Sequence, residues 1–201
     1  MKYPILLVVF GLFTSFTYAQ SLKPGFEKEE YRTMLTLMSQ VKEHPVYQDF
    51  TLRYTSPVMG LENRWWLWTS DEHKQAVIGI RGTVSSSESW LANFYAAMIP
   101  AKGQLQLDDS RIFEYNFSDD PKAAVHVGWT FSTGFLSADI LPHLDSCYKA
   151  GIKDIYITGH SQGGAISYLL TSHLRHLQQQ GQLPADIKIK TNRPADPKSG
   201  N

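Results

Sequence analysis

The sequence predicts an α/β fold with a mostly parallel central sheet flanked by helices. Three observations carry that expectation. An apolar run from Ile152 to Thr158 reads as a buried strand. It is followed by Ala165, Ile166, Leu169, Leu170, Leu174 and Leu177, which recur at helical spacing up to about Gly181. A second, alternating strand then follows at Ile187-Lys188-Ile189-Lys190-Thr191. Because Gly128 to about Ala150 also reads as a helix, strands and helices alternate, as parallel pairing in an α/β layer requires.

The elements follow in chain order. Lys2, an apolar core from Ile5 to Phe13, a polar stretch and the small residue Ala19 have the layout of a secretory signal peptide. Cleavage after Thr17-Tyr18-Ala19 would leave Gln20 or Ser21 at the mature end, with residues 20–201 as one domain. Export to the periplasm or the medium is the expected localisation. An uncleaved N-terminal anchor is the alternative, although the apolar core is short for a bilayer, which takes ~20 residues. Phe26 to Val41 reads as an amphipathic helix with Tyr31, Met34, Leu35, Leu37, Met38 and Val41 on its apolar side. Trp65 to Trp68 and Ala76 to Ile80 read as a hairpin joined by the polar turn Ser70 to Lys74. The helix from Gly128 carries Pro142, where a break or kink is expected, and Gly151 suits its C-terminal cap. Pro100 to Asp120 is polar and irregular, a loop or a small hairpin.

Composition excludes some function classes. The chain has 201 residues with 19 basic and 19 acidic side chains, so removal of Lys2 with the signal leaves about one net negative charge. No basic patch interleaved with aromatics is present, which argues against a nucleic-acid partner. The single cysteine, Cys147, permits no disulfide among these residues and is expected to be a buried or half-buried helix residue. Metal-ligand spacings and cofactor motifs are absent, so the chemistry is expected to need no cofactor.

The chemistry resides in Tyr156-Ile157-Thr158-Gly159-His160-Ser161-Gln162-Gly163-Gly164-Ala165. Gly-x-Ser-x-Gly between a strand and a helix is the context of a nucleophile elbow. The small Gly159 and Gly163 would let the chain turn sharply and push the Ser161 hydroxyl outward. The N–H groups and dipole at the helix start would favour an oxyanion beside it. A phosphate-binding loop is the competing reading, but GxGxxG and GxxxxGK[ST] are both missing.

Two more segments match the needs of such an elbow: Ile80-Arg81-Gly82-Thr83, where a strand ends in a Gly-containing turn, and Val125-His126-Val127-Gly128-Trp129. Together with Gly-His-Ser-Gln-Gly-Gly, they resemble the class 3 lipases, the fungal-lipase-like branch of the α/β-hydrolases, over about Arg53 to Asn201. The resemblance implies that Ser161 is the nucleophile, that Thr83 is one oxyanion donor, and that the backbone N–H of Gln162 is the other. It also implies that residues 85–94 correspond to a lid. Trp90, Leu91 and Phe94 would share one helical face, suited either to a lid and lipid surface or to permanent docking on the core. His126 and His160 are given supporting roles, as packed, hydrogen-bonded side chains.

A triad of this order needs an acid and then a histidine after the serine. His173 and His176 lie on the elbow helix, some ~15–18 Å along its axis for His173, out of reach of the hydroxyl. Asp186 precedes a strand, and Asp196 lies in a segment resembling one that comes before the family's catalytic acid. The expectation is therefore a truncated member of the family, with a genuine short product as the alternative. The function expected of the complete protein is that of an exported serine carboxylic-ester hydrolase, a triacylglycerol lipase or lipid esterase acting through an acyl-enzyme. The alternative is a catalytically incomplete lipid-binding protein on the same scaffold. Substrate chain length, head group and oligomeric state are not fixed by the sequence.

Overall fold

A computed structural model describes residues 22, 24–40, 45–82 and 97–191. Its centre is a six-stranded sheet in the order β1-β2-β3-β4-β9-β10. The strands are β1 (Val46–Tyr47), β2 (Phe50–Thr55), β3 (Trp65–Ser70), β4 (Gln75–Ile80), β9 (Asp154–Gly159) and β10 (Lys188–Thr191). The first four pair antiparallel, and β4, β9 and β10 pair parallel, so the sheet is mixed. The predicted Trp-rich hairpin is β3–β4, with Trp65 opposite Ile80 and Ser70 opposite Gln75.

The three strands nearest the site show why the chain folds this way. Every residue of β4 is buried, which suits a central strand covered on both faces. Side chains alternate between the faces with the period of two that a strand imposes. Trp65, Leu67, Ala76, Ile78, Ile80, Ile155 and Ile157 face one side. There they pack against helix α2 (Val127–Lys149) through Leu136, Ile140 and Leu144, and against helix α3 (Gln162–Gln179) through Ile166, Leu170 and Leu174. Trp68, Val77 and Tyr156 face the other side, which Met34 and Leu37 of helix α1 (Lys28–Gln40) cover. At roughly 1.5–3 kcal/mol per fully buried large apolar side chain, these two layers dominate the stability.

Several elements differ from expectation. Leu35 is 47% exposed on α1 rather than on its buried stripe. The region Pro100 to Asp120 contains a hairpin, β6 (Lys102–Asp108) with β7 (Arg111–Asn116), which buries Leu107, Phe113 and Tyr115. Beside it β5 (Met98–Pro100) pairs antiparallel with β8 (Ala124–His126). Pro142 does not interrupt α2, which runs for 23 residues. A mid-helix proline costs about 3 kcal/mol, and the burial of Leu144 and Cys147 beyond it offsets that cost. Gly151 and Gly181 take left-handed φ of 81° and 70°. In each case paired bonds close the helix end: Ile152 N–H to Cys147 and Gly151 N–H to Tyr148, then Gln182 N–H to Leu177 and Gly181 N–H to Gln178. Cys147 is buried in α2, and burial raises its thiol pKa. No helix among the described residues is long and apolar enough to cross a membrane.

Candidate active site

The parallel register brings the ends of β4 and β9 side by side, with Ile80 opposite Gly159. Beyond that pair the two chains remain in contact. A β-carbon built on Gly82 would lie 2.7 Å from the carbonyl oxygen of His160. The Arg81-Gly82 segment and the serine turn, distant in sequence, are therefore neighbours in space.

Ser161 sits at the turn itself, with φ 55° and ψ −123°. Few non-glycine residues adopt this conformation, and such strain costs about 1–3 kcal/mol. Ser161 occupies the N-cap position of α3, yet its side chain makes no capping bond to the helix. An N-cap serine usually accepts from an N–H of the first turn. Here the residue is exposed and its hydroxyl does not cap the helix start.

The flanking glycines have a different cause from the one the sequence suggested. Neither Gly159 nor Gly163 has a positive φ, so neither supplies the bend. Both are small because backbones meet there. A β-carbon on Gly159 would lie 2.8 Å from the amide nitrogen of Gly164 and would overlap the Gly163 carbonyl. One on Gly163 would lie 2.7 Å from the Arg81 carbonyl oxygen and would overlap that of Ile80. The glycines let α3 start hard against both β9 and β4, and the turn's strain falls on Ser161 alone.

Gln162 is the first residue of α3, so its N–H lies at the positive end of the helix, next to the serine. Thr83, the lid segment 85–94 with Trp90, Leu91 and Phe94, the signal region and Asp196 all lie outside the described residues.

The histidines divide. His126 is buried at the N-cap of α2, where its Nδ1 accepts from the Trp129 N–H at 3.3 Å and its ring stacks on Trp129. Burial lowers its pKa. His160 is exposed rather than packed as expected. His173 is buried on α3 with its ring edge-on to Phe113, and its Nδ1 has no hydrogen-bond partner among the described residues. Burial, with His176 nearby, lowers its pKa to about 4. It is committed to the hairpin contact and not to Ser161. Asp186 precedes β10, as expected, and is exposed in an ion pair with Lys153 at 2.6 Å.

Sequence reading missed two anchors that hold β3 and the chain before it to α2. Asn63 Nδ2 donates to Ser132 Oγ at 2.9 Å. Asp139 accepts from the Trp65 indole at 2.7 Å and from the Tyr54 hydroxyl at 3.2 Å. Burial, then the Asp139 charge, raises the Tyr54 pKa. Only helical placement of Asp139 opposite an unplaced strand could have signalled the contact. No group of three or more metal-ligating side chains occurs among the described residues.

Residues 77–201, more than half of the chain, match the sequence profile of the family described as lipase (class 3). The Lip2 lipase of Yarrowia lipolytica is similar in structure, with a TM-score of 0.53 and 21% identity over 83% of this chain and 60% of its own. The Rhizomucor miehei lipase in its propeptide complex gives a TM-score of 0.53 and 18% identity, over 83% of this chain and 53% of its own. The lipase of Rhizopus microsporus var. chinensis gives a TM-score of 0.52 and 19% identity, over 81% and 56%. At these identities the likeness speaks for the fold. The chain spans between 53% and 60% of the length of these three solved lipases. No curated protein matches in sequence.

Proposed function

The chain belongs to the class 3 lipase family, and from that premise we propose that the complete protein is an exported serine carboxylic-ester hydrolase acting on lipid esters. The observation that carries this reading is the strained backbone of Ser161, φ 55° and ψ −123°, at an exposed strand-to-helix turn with no capping bond. A fold keeps such strain where the surroundings over-determine it, and a nucleophile is the group that gains from it.

In this reading Ser161 Oγ attacks the ester carbonyl carbon. The hydroxyl proton passes to a base, the carbonyl oxygen becomes an oxyanion, and the alcohol leaves to give an acyl-Ser161 that water then hydrolyses. The backbone N–H groups of Gln162 and Thr83 hold the oxyanion, each donor contributing about 10²–10³ in turnover. His173 is engaged with Phe113, so the base is an imidazole supplied from elsewhere than α3. A triacylglycerol or another lipid ester is the substrate class, with Trp90, Leu91 and Phe94 meeting the lipid. The leader sequence around Lys2 to Ala19 supports export.

A second reading, a lipid-binding scaffold without turnover, draws on that same commitment of His173. A fluorophosphonate probe separates the two, because it reacts only with an activated serine. Labelling of wild type but not of Ser161→Ala supports the hydrolase. Lipid binding by both proteins, with neither labelled, supports the scaffold.

A further inference from the structure

The two residues that extend β3 and β4 towards the site are both arginines. Trp65 pairs with Ile80, and the next bond outward runs from the Arg81 N–H to the Arg64 carbonyl at 2.9 Å. Arg64 and Arg81 are thus directly opposite one another across an antiparallel pair. Cross-strand partners share a face, with Cβ atoms about 4.5–5.5 Å apart, and like charges there are destabilising. The pair lies two residues beyond Trp66 and Gly79, on the face that α1 covers.

Among the described residues neither arginine forms an ion pair. The Nε of each guanidinium is buried without an acceptor among the described residues. One Nη of Arg81 donates to the Glu62 main-chain carbonyl, a neutral acceptor. The exposed carboxylate of Glu62 makes no ion pair with either arginine. Burial, then the Arg64 charge beside it, lower the Arg81 pKa, and the nearby Glu62 charge opposes them only in part. A fold that spends stability on two facing guanidiniums at the end of its central sheet is built for an anion. The paired forks of two arginines suit the tetrahedral oxygens of a phosphate.

The position says which phosphate. Arg81 immediately precedes Gly82, whose backbone touches that of His160, and its own carbonyl lies against the start of α3. The main chain of Arg81 therefore adjoins the turn that presents Ser161. That adjacency is what points to a phosphate carried on a molecule whose ester is presented to the serine.

We propose that Arg64 and Arg81 form an anion site that takes the phosphate of a phospholipid whose carboxylic ester is presented to Ser161. The proposal rests on the hydrolase reading for its chemistry, but its binding step stands apart from turnover and is tested apart from it.

The experiment measures binding of the full chain to dodecyl maltoside micelles doped with dioleoyl phosphatidic acid or with dioleoylglycerol, which differ only in the phosphate. Inorganic phosphate alone is titrated in parallel, and fluorophosphonate labelling of Ser161 is scored separately. Arg64→Gln and Arg81→Gln are expected to bind phosphatidic acid about tenfold more weakly, with binding to dioleoylglycerol unchanged. Lys149→Gln, which removes an equal charge from an exposed pair with Asp145, is expected to bind as wild type does. Arg81→Lys keeps the charge without the fork and guards against misfolding of the glutamine variant. It is expected to fall between wild type and Arg81→Gln.

Phosphatidic acid binding that is the same in wild type and both glutamine variants would overturn the proposal. So would arginine-dependent binding of inorganic phosphate with no preference for phosphatidic acid, which would make the site one for the free ion. Arginine-dependent phosphatidic acid binding without Ser161 labelling would leave the anion site standing and count against the hydrolase reading alone.

Discussion

Gly163 lies against the carbonyl oxygen of Arg81, so close that a β-carbon on it would stand 2.7 Å away and would overlap the Ile80 carbonyl as well. Backbone cannot yield as the tip of a side chain can, so Gly163→Ala has to push the start of α3 off the end of β4. Overpacking of this kind costs about 1–3 kcal/mol. A displacement of about 1 Å at the nucleophile is expected to slow fluorophosphonate labelling of Ser161 by roughly 10². Gly164→Ala is the internal control, because its β-carbon would stand 3.3 Å from the Gly159 carbonyl oxygen and can be accommodated by a small shift. Equal labelling rates in the two variants would mean that the close approach does not set the geometry of the serine.

The strain at Ser161 makes a stability prediction that runs against intuition. Glycine adopts φ 55°, ψ −123° without a steric penalty, whereas alanine keeps the β-carbon that causes it. Ser161→Gly should therefore stabilise the fold by about 1 kcal/mol once the extra backbone entropy of glycine is deducted. For a domain of this size that is a melting temperature about 2–4 °C higher. Ser161→Ala should show no such gain. Thermal unfolding of the two variants side by side checks it, and equal melting temperatures would mean that the turn is unstrained.

The fold was legible where local pattern and burial agree. Residues 65–68 and 76–80 alternate faces and form a hairpin, Ile155 and Ile157 mark a buried strand, and Gly151 and Gly181 mark helix ends. What escaped depends on distant partners. Leu35 falls within the helical stripe, yet it is exposed while Met34 and Leu37 carry the contact with the sheet. Residues 102–116 look polar because their outward face is polar, and only docking on Gly134 and Phe135 of α2 gives Leu107 and Phe113 a place to bury. At the site, the exposed strand-to-helix turn at Ser161 was legible from Gly-x-Ser-x-Gly. The reason for Gly163 was not, because it lies in the Ile80 and Arg81 carbonyls at the end of another strand. The facing of Arg64 and Arg81 likewise needed the β3–β4 register.

Asp139 holds one of the sheet's two fully buried tryptophans to α2. The Trp65 indole, 0% exposed, donates to its carboxylate at 2.7 Å, and Tyr54 donates at 3.2 Å. Asp139→Ala leaves both donors without this acceptor. A buried donor so orphaned costs about 1–3 kcal/mol, so urea unfolding should show a loss of that order. Trp65→Phe in the Asp139→Ala background should lose less than in wild type, because the indole N–H is then already unpaired. Additive losses would mean that the bond contributes nothing beyond its separate parts.

His173 sets a pH dependence with a definite sign. Burial lowers its pKa from the ordinary 6.5 to about 4, so the folded protein binds the proton less readily than the unfolded chain does. Above pH 6.5 the imidazole is neutral in both states and costs nothing by titration. As pH falls from 6.5 towards 4 only the unfolded chain is protonated, and stability declines. The full difference corresponds to about 3 kcal/mol, of which about 2 kcal/mol is lost by pH 5. Because Nδ1 has no partner to lose among the described residues, His173→Leu should be no less stable than wild type at pH 7. At pH 5 it should be more stable by about 2 kcal/mol, the carboxylates titrating alike in both proteins. Chemical unfolding at pH 7, 6 and 5 gives the comparison. Parallel curves for the two proteins would mean that His173 titrates in the fold as freely as it does unfolded, and that its contact with Phe113 does not exclude water.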